Sequence, residues 1–172
     1  LAALELGVSV QEISERLPKF RPSTLRGRCF QGRGRSYLVD CYNANPASMK
    51  DSIEFFRNQF SGSPKLYVLA GMEELGEDAQ NLHYSVGQCI DLEENDFVIL
   101  IGEKATWMAP ALLENGYAEN KIIVLSDMND AVPVVEDFEG VVLFKGSRSN
   151  KLENLLPTWA VEENEAGKND QC

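Results

Sequence analysis

The sequence predicts an α/β protein with a Rossmann-like, mainly parallel sheet, helices on both faces and a short β-hairpin at the start. Two observations favour this class. Short apolar runs that suit strands alternate with segments of helical periodicity, and this order requires crossover connections between parallel strands. Four of the runs, KLYVLAG, DFVILIG, IIVLS and VVLFKG, are almost continuously apolar, as expected of strands buried on both faces.

The first residues are predicted to form two short helices. LAALELG is typical of the end of a helix, and Ser9 with Glu12 forms a capping box before an apolar stripe. The chain has no initiator methionine, so we expect it to begin inside a longer protein. Residues 1–25 are interpreted as the end of a preceding domain and its linker, residues 26–160 as the main domain, and residues 161–172 as a disordered acidic tail.

The main domain is predicted to begin with a hairpin, formed by GRCFQ and RSYLVDC around two glycines. PASMKDSIEFFRNQF then predicts a helix, and the four apolar runs predict the later strands. Further helical segments are expected at DAQNLHYSVGQCIDL, KATWMAPALLENG and MNDAVPVVEDF, and after the last strand at NKLENLLPTWAV.

Composition restricts the function classes. A chain of 172 residues, 44% of them hydrophobic, is long enough for one domain with a real core. A net charge of −11 argues against a general binder of nucleic acid or anionic membranes. No run approaches the roughly 20 apolar residues of a membrane helix and no signal peptide is recognisable, so we expect a cytoplasmic setting. We also expect a monomer. Scattered cysteines and a single histidine predict no metal site.

The turn DCYNANP carries the densest group of polar side chains. Asn45 followed by Pro46 suits the start of a helix, and a well-capped helix alone would explain Asn45. It would not explain Asp40, Tyr42 and Asn43. A carboxylate can accept from ribose hydroxyls, an amide can bind a base edge, and a tyrosine can pack on a purine. Because ligands collect at the carboxyl ends of parallel strands, this turn is a candidate nucleoside site.

Two further strand ends are rich in polar residues. AGMEELGED could hold an ammonium or magnesium ion, although acidic first turns of helices are common for dipole reasons alone. His83, on the helix that follows, is in such a place more often structural than catalytic. KGSRSNK follows the last strand, where Lys145 and Arg148 suit a carboxylate or phosphate, or simply lie beside a capped helix.

Two nucleotide-binding motifs are absent from the sequence. There is no GxxxxGK[ST] loop, and QGRGRS lacks the spacing of GxGxxG, so the phosphates of any bound ATP must be held elsewhere. Basic residues nevertheless concentrate locally, because six of the sixteen lie from Lys19 to Arg35. This run is either a solvated loop and hairpin or a surface that faces phosphates.

Three segments in order, YNANPASM, GMEELGEDAQNLHYSVG and VLFKGSRSNKLE, resemble the C-terminal part of the Mur ligase family, specifically its MurF type. The resemblance covers about residues 1–156. It implies that residues 1–25 end a central ATPase domain, which would hold most of the ATP and Mg²⁺, and that a C-terminal Rossmann-like domain follows. The implied reaction joins D-alanyl-D-alanine to a UDP-N-acetylmuramoyl-tripeptide through an acyl phosphate in peptidoglycan synthesis. The chain alone, without the phosphate loop, would be inactive.

The resemblance also implies roles for individual residues. The nucleotide-side residues are Arg28, Asp40, Tyr42, Asn43 and Asn45. The residues near the carboxylate of the dipeptide are Lys145, Ser147, Arg148 and Asn150. Glu74 and His83 match a glutamate and a following histidine of the family pattern, for which catalytic and structural roles both stay open.

Two positions depart from the family pattern. Ala70, Gly71 and Met72 stand where the family has G[DE]M, so that Glu73 would have to supply the missing acid. Val39 stands where an acid often precedes the strand-end aspartate. The alternative function is a stand-alone α/β module that binds a nucleotide or a phosphorylated ligand without catalysis. A receiver-type regulatory domain is disfavoured, because the strand ends lack the clustered acids that bind magnesium there.

Overall fold

The computed structural model describes residues 2–19 and 25–165. These residues contain one six-stranded sheet. The strands are β1 (Arg28–Gly32), β2 (Arg35–Asp40), β3 (Lys65–Ala70), β4 (Phe97–Ile101), β5 (Ile122–Leu125) and β6 (Val141–Lys145). Their order is β1-β2-β6-β3-β4-β5; β1 pairs with β2 in antiparallel fashion and every other pair is parallel. The predicted Rossmann-like, mainly parallel class with an initial hairpin is confirmed.

The described residues form eight α-helices, with short 3₁₀ segments between some of them. The helices are α1 (Ala2–Glu5), α2 (Val10–Arg16), α3 (Pro46–Gln59), α4 (Ala79–Gly87), α5 (Glu103–Thr106), α6 (Ala109–Glu114), α7 (Val132–Asp137) and α8 (Thr158–Glu165). None of these helices has the length and apolar character needed to cross a membrane.

The sheet separates two hydrophobic cores, because successive strand residues point to opposite faces. Leu38, Leu143 and Tyr67 are neighbours in register and belong to the core that α3, α4, α5 and α6 cover. Val39 and Phe144 are also register partners and belong to the other core, which α7 and α8 cover. Burial on both faces explains why the central strands are almost continuously apolar.

Several predictions about secondary structure differ from the fold. KATWMAPALLENG forms two short helices, α5 and α6, and MNDAVPVVEDF begins with a 3₁₀ segment (Met128–Ala131) before α7. The expectation that IIVLS is buried on both faces is wrong, because β5 is an edge strand and Val124 is 50% exposed. NKLENLLPTWAV is not one helix either, since a 3₁₀ segment (Leu152–Leu155) precedes α8. Pro157 lies between them, lacks a backbone N–H and disfavours the helical conformation of the residue before it.

The two chain ends bear on the predicted domain boundaries. Helices α1 and α2 bury none of their residues, and Leu6 is 84% exposed and Val10 69% exposed. The expectation that residues 1–25 belong to a preceding domain stays a prediction, and residues 20–24 lie outside the described part. Helix α8 reaches Glu165, so the first five residues of the predicted disordered tail are helical. Residues 166–172 of that tail also lie outside the described part.

A buried ion pair joins the amino ends of β3 and β4. Lys65 and Asp96 are both fully buried. Oδ1 of Asp96 accepts from the backbone N–H of Lys65 at 2.8 Å, and Oδ2 accepts from the backbone N–H of Glu93 at 3.0 Å. The Lys65 ammonium lies 3.5 Å from Asp96 Oδ2 and 2.9 Å from Glu93 Oε2. The pair is stable in the core because hydrogen bonds compensate both charges.

Replacing Asp96 by alanine is expected to destabilise the fold by about 3–5 kcal/mol, because the change leaves a buried ammonium undercompensated and a buried N–H unpaired. Urea unfolding followed by circular dichroism measures this loss. Glu94→Ala, which removes a neighbouring exposed acid, should change the free energy of unfolding by less than about 0.5 kcal/mol. Equal effects of the two substitutions would contradict the role given to Asp96.

Candidate functional site

The carboxyl ends of β2, β6 and β3 meet at a topological switch point. The chain leaves β2 and β3 towards α3 and α4 on one face of the sheet, but leaves β6 towards α8 on the other face. Loops that diverge from adjacent parallel strands leave a crevice, and ligands of open α/β sheets bind there. The three polar loops predicted from sequence therefore lie side by side at one edge.

Lys145, at the end of β6, is bound to the turn that follows β2. Its ammonium lies 2.9 Å from Oδ2 of Asp40 and donates to the carbonyl oxygen of Asn43 at 3.0 Å. The hydroxyl of Ser52 also donates to Oδ2 of Asp40, at 2.5 Å. The Lys145 side chain is 2% exposed whereas that of Asp40 is 24% exposed. Asp40 is thus the member of the pair that a ligand can reach.

The other residues of the β2–α3 turn divide between capping and exposed positions. Oδ1 of Asn45 accepts from the backbone N–H of Ser48 at 2.8 Å, so Asn45 is the N-cap of α3. Asn43 is exposed, and its side-chain oxygen accepts from the next backbone N–H at 2.9 Å. Tyr42 is 47% exposed, with the Arg26 guanidinium 4.0 Å from its ring centre. Capping accounts for Asn45, while the other two side chains stay accessible.

A pocket of about 230 Å³ opens beside Asp40, between the hairpin and α3. Its lining includes Leu38 and the half-exposed ring of Phe55. Arg28 lies close by on β1, in register with Val39 and with its guanidinium 4.7 Å from the ring centre of Phe30. A carboxylate beside apolar surface is a combination that suits a nucleoside.

The loop after β6 is fastened to the loop after β3. The backbone N–H of Ser147 and the side-chain amide of Asn150 donate to the carbonyl oxygen of Gly71, at 3.1 and 3.0 Å. The hydroxyl of Ser147 accepts from the backbone N–H of Glu73 at 3.0 Å. A Cβ on Gly71 would lie 2.8 Å from the Cβ of Lys104, so only glycine fits without a shift. Two predicted ligand residues, Ser147 and Asn150, therefore also hold the loops together.

Sequence reasoning missed two charged partners at this edge. Lys104, just after β4, pairs with Glu73, and both side chains are 40% exposed. Glu153 pairs with the predicted carboxylate ligand Arg148, which is 51% exposed. Because Lys104 lies in the first turn of the helix after an apolar strand, its position near a strand end could have indicated it, whereas the sequence carries no signal for Glu153. Glu73 does bring a carboxylate to the edge where the family's acid is missing, but its substitution for that acid stays a prediction.

His83 is fully buried and both its ring nitrogens are engaged. Nε2 accepts from the backbone N–H of Met72 at 2.9 Å, so Nδ1 carries the proton and donates to the carbonyl oxygen of Ala79 at 2.6 Å. Burial lowers the pKa of His83, which keeps the ring neutral. These contacts favour the structural role for His83. Glu74 is exposed and adopts a left-handed conformation (φ 59°) in the loop between β3 and α4.

The donor set at the edge does not suit a metal ion. Within residues 2–19 and 25–165, no three histidine, cysteine or acidic side chains are grouped so as to hold one. Asp40 and Glu73, two acids at this edge, are each paired with a lysine. The described residues therefore fit a nucleoside and an anionic group better than they fit Mg²⁺.

Comparison with known proteins gives a consistent result. The family model described as "Mur ligase, glutamate ligase domain" matches residues 26–148. The UDP-N-acetylmuramoyl-tripeptide--D-alanyl-D-alanine ligase of Treponema pallidum is 31% identical over 162 residues, which cover 90% of this chain and 34% of the relative. A crystal structure of MurF from Acinetobacter baumannii has a TM-score of 0.73 at 25% identity, covering 90% of this chain and 34% of that one. MurF from Thermotoga maritima in complex with ADP gives 0.71 at 27% identity, with coverages of 96% and 36%. The chain thus spans about a third of the length of these proteins.

Stability should fall between pH 7.5 and 5.5 because of His83, the only histidine in the chain. The folded state has the lower pKa, so below the ordinary value of 6.5 the unfolded state takes up a proton that the folded state does not. This loss is at most about 1.4 kcal/mol at pH 5.5. Urea unfolding at both pH values should show a steeper loss in the wild type than in His83→Gln. Identical losses would indicate that His83 is not buried in its neutral form.

Proposed function

Because the chain belongs to the Mur ligase family, we propose that it is the C-terminal lobe of an ATP-dependent ligase that joins D-alanyl-D-alanine to a UDP-N-acetylmuramoyl-tripeptide. The observation that carries the proposal is the convergence of three polar loops at one switch point, within a domain that matches the family model. The chain spans only about a third of its relatives. A UDP-sugar domain and a central ATPase domain would therefore precede it in the same polypeptide.

The nucleotide is assigned to the β2–α3 turn and the adjacent strand β1. Asp40 is the central group, because Lys145 and Ser52 fix its carboxylate while part of it stays exposed. A carboxylate held in this way accepts from ribose hydroxyls without having to be ordered on binding. The other residues of this group are Arg28, Tyr42, Asn43 and Asn45. ATP, when bound, supplies the phosphoryl group that activates the substrate carboxylate, and its phosphates and Mg²⁺ would be held mainly by the central domain.

The dipeptide is assigned to the crevice between the loops after β6 and β3. Arg148 offers an exposed guanidinium for its carboxylate. Glu73 and Lys104 place opposite charges at the same edge, which suits a zwitterion. Lys145, Ser147 and Asn150 keep these loops in position through their own hydrogen bonds. The lobe would then orient the attacking amine and exclude water from an activated acyl group.

The remaining assignments follow from the same proposal. Residues 1–25 would complete the central domain, because the exposed apolar side chains of α1 and α2 would then be covered. Domain closure would bring the two walls of the cleft together. The enzyme would act as a cytoplasmic monomer in peptidoglycan synthesis.

The full-length protein should release phosphate from ATP only when both the dipeptide and the UDP-N-acetylmuramoyl-tripeptide are present. The 172-residue chain alone should release none above background, because its sequence has no phosphate loop. A coupled phosphate assay on both proteins measures this. If the full-length protein binds nucleotide but forms no amide, it is a binding module instead, and robust turnover by the isolated chain would overturn the domain assignment.

In the full-length enzyme, Asp40→Asn should raise the KM for ATP about tenfold while leaving the KM for D-alanyl-D-alanine within about twofold, and Arg148→Ala should do the reverse. Asparagine is used at position 40 because it leaves an acceptor for the buried Lys145 ammonium. Steady-state kinetics with each substrate varied in turn measures both constants. Asp137→Ala, an exposed acid at the end of α7, serves as the control. Equal effects of Asp40→Asn and Arg148→Ala on both substrates would refute the division of roles.

A further inference from the structure

Glu153 binds Arg148, an exposed cation of the loop after β6. Its Oε1 accepts from the guanidinium of Arg148, and its Oε2 lies 3.6 Å from the Sγ of Cys41, which donates to it. The Glu153 side chain is 21% exposed, whereas that of Arg148 is 51% exposed. The carboxylate thus lies beneath the guanidinium and connects it to the end of β2.

The backbone that carries Glu153 is firmly anchored. Glu153 lies in the 3₁₀ segment between Leu152 and Leu155, which are 0% and 3% exposed in the core of the α7 and α8 face. Lys151, in a left-handed conformation (φ 50°), turns the chain into this segment. A carboxylate on such a base can restrict a long arginine side chain that would otherwise sample many rotamers.

Cys41 adds a second restraint on the Glu153 carboxylate. The thiol is fully buried directly after Asp40, and burial raises its pKa to about 12. It therefore keeps its proton at neutral pH and remains a donor. Because each carboxylate oxygen has its own partner, the plane of the Glu153 carboxylate is set from both sides.

We propose that Glu153 is a positioning residue, which holds one edge of the Arg148 guanidinium so that its other N–H groups face a carboxylate ligand in the crevice. Guanidinium is planar and carries five N–H donors, so occupying one of them leaves others directed outwards in a fixed geometry. The inference rests on the proposed function, in which the ligand carboxylate belongs to D-alanyl-D-alanine.

In the full-length enzyme, Glu153→Gln should raise the KM for D-alanyl-D-alanine about five- to tenfold, with kcat and the KM for ATP within about twofold. Glu153→Asp, which keeps the charge, should recover part of the loss. Adding Glu153→Gln to Arg148→Ala should cause no further loss, because the two residues act as one unit. Glu139→Gln, an exposed acid at the other end of β6, should behave as the wild type. If the unfolding temperatures of Glu153→Gln and Glu139→Gln differ while the KM for D-alanyl-D-alanine is unchanged, the role of Glu153 is merely structural.

A second measurement on the 172-residue chain does not depend on catalysis. Phenylglyoxal labelling followed by mass spectrometry should modify Arg148 at least about threefold faster in Glu153→Gln than in the wild type, because the ion pair shields the guanidinium. Arg16, exposed on α2, should react equally in both and serves as the internal reference. An unchanged Arg148 rate overturns the positioning role even if the ligase activity is present. If Arg148 is labelled faster in Glu153→Gln but the full-length protein has no ligase activity, the proposed function is contradicted while the Glu153–Arg148 contact is supported.

Discussion

The buried ammonium of Lys145 is the constraint on which the candidate site depends. A lysine with 2% exposure must have its charge compensated, and within the described residues the ammonium pairs with Asp40 and donates to the carbonyl oxygen of Asn43. Asp40 ends β2 and Asn43 lies in the turn that follows, so this turn and the end of β6 are held in one arrangement. The start of α3 follows directly from that turn, and the position of its N-terminus is therefore fixed by the same charge.

Polar residues at the edge fall into a framework and an accessible set. Ser147 and Asn150 direct their hydrogen bonds inwards and bind the loop after β6 to the loop after β3, while His83 binds the loop after β3 to α4. Asp40 and Arg148 are each held by an internal partner but remain partly exposed. This division explains how a crevice made of loops can be ordered before a ligand binds. Such order lowers the conformational-entropy cost of binding.

The sequence predicted local structure well and long-range contacts poorly. Alternating apolar and helical runs predicted the sheet, and the capping residue Asn45 was recognised, because both depend on neighbouring residues. The exposure of Val124 depends on which strand lies at the edge, a property of topology that local pattern does not contain. Lys145 was predicted to face an anionic ligand, yet its ammonium is bound to Asn43, which lies 102 residues away in the chain. Contacts of that range require the strand order to be known.

Two lysine–aspartate pairs of the sheet show how a charge that only stabilises the fold differs from a charge that can also bind a ligand. At the amino ends of β3 and β4, Lys65 and Asp96 are both at most 1% exposed, and backbone N–H groups occupy both oxygens of Asp96. At the carboxyl ends, Lys145 is equally buried but Asp40 is 24% exposed. Since the lysines are alike, the difference lies in the acid. A saturated, enclosed carboxylate can only stabilise the fold, whereas one that is anchored by a buried ammonium and open to solvent can also accept from a ligand.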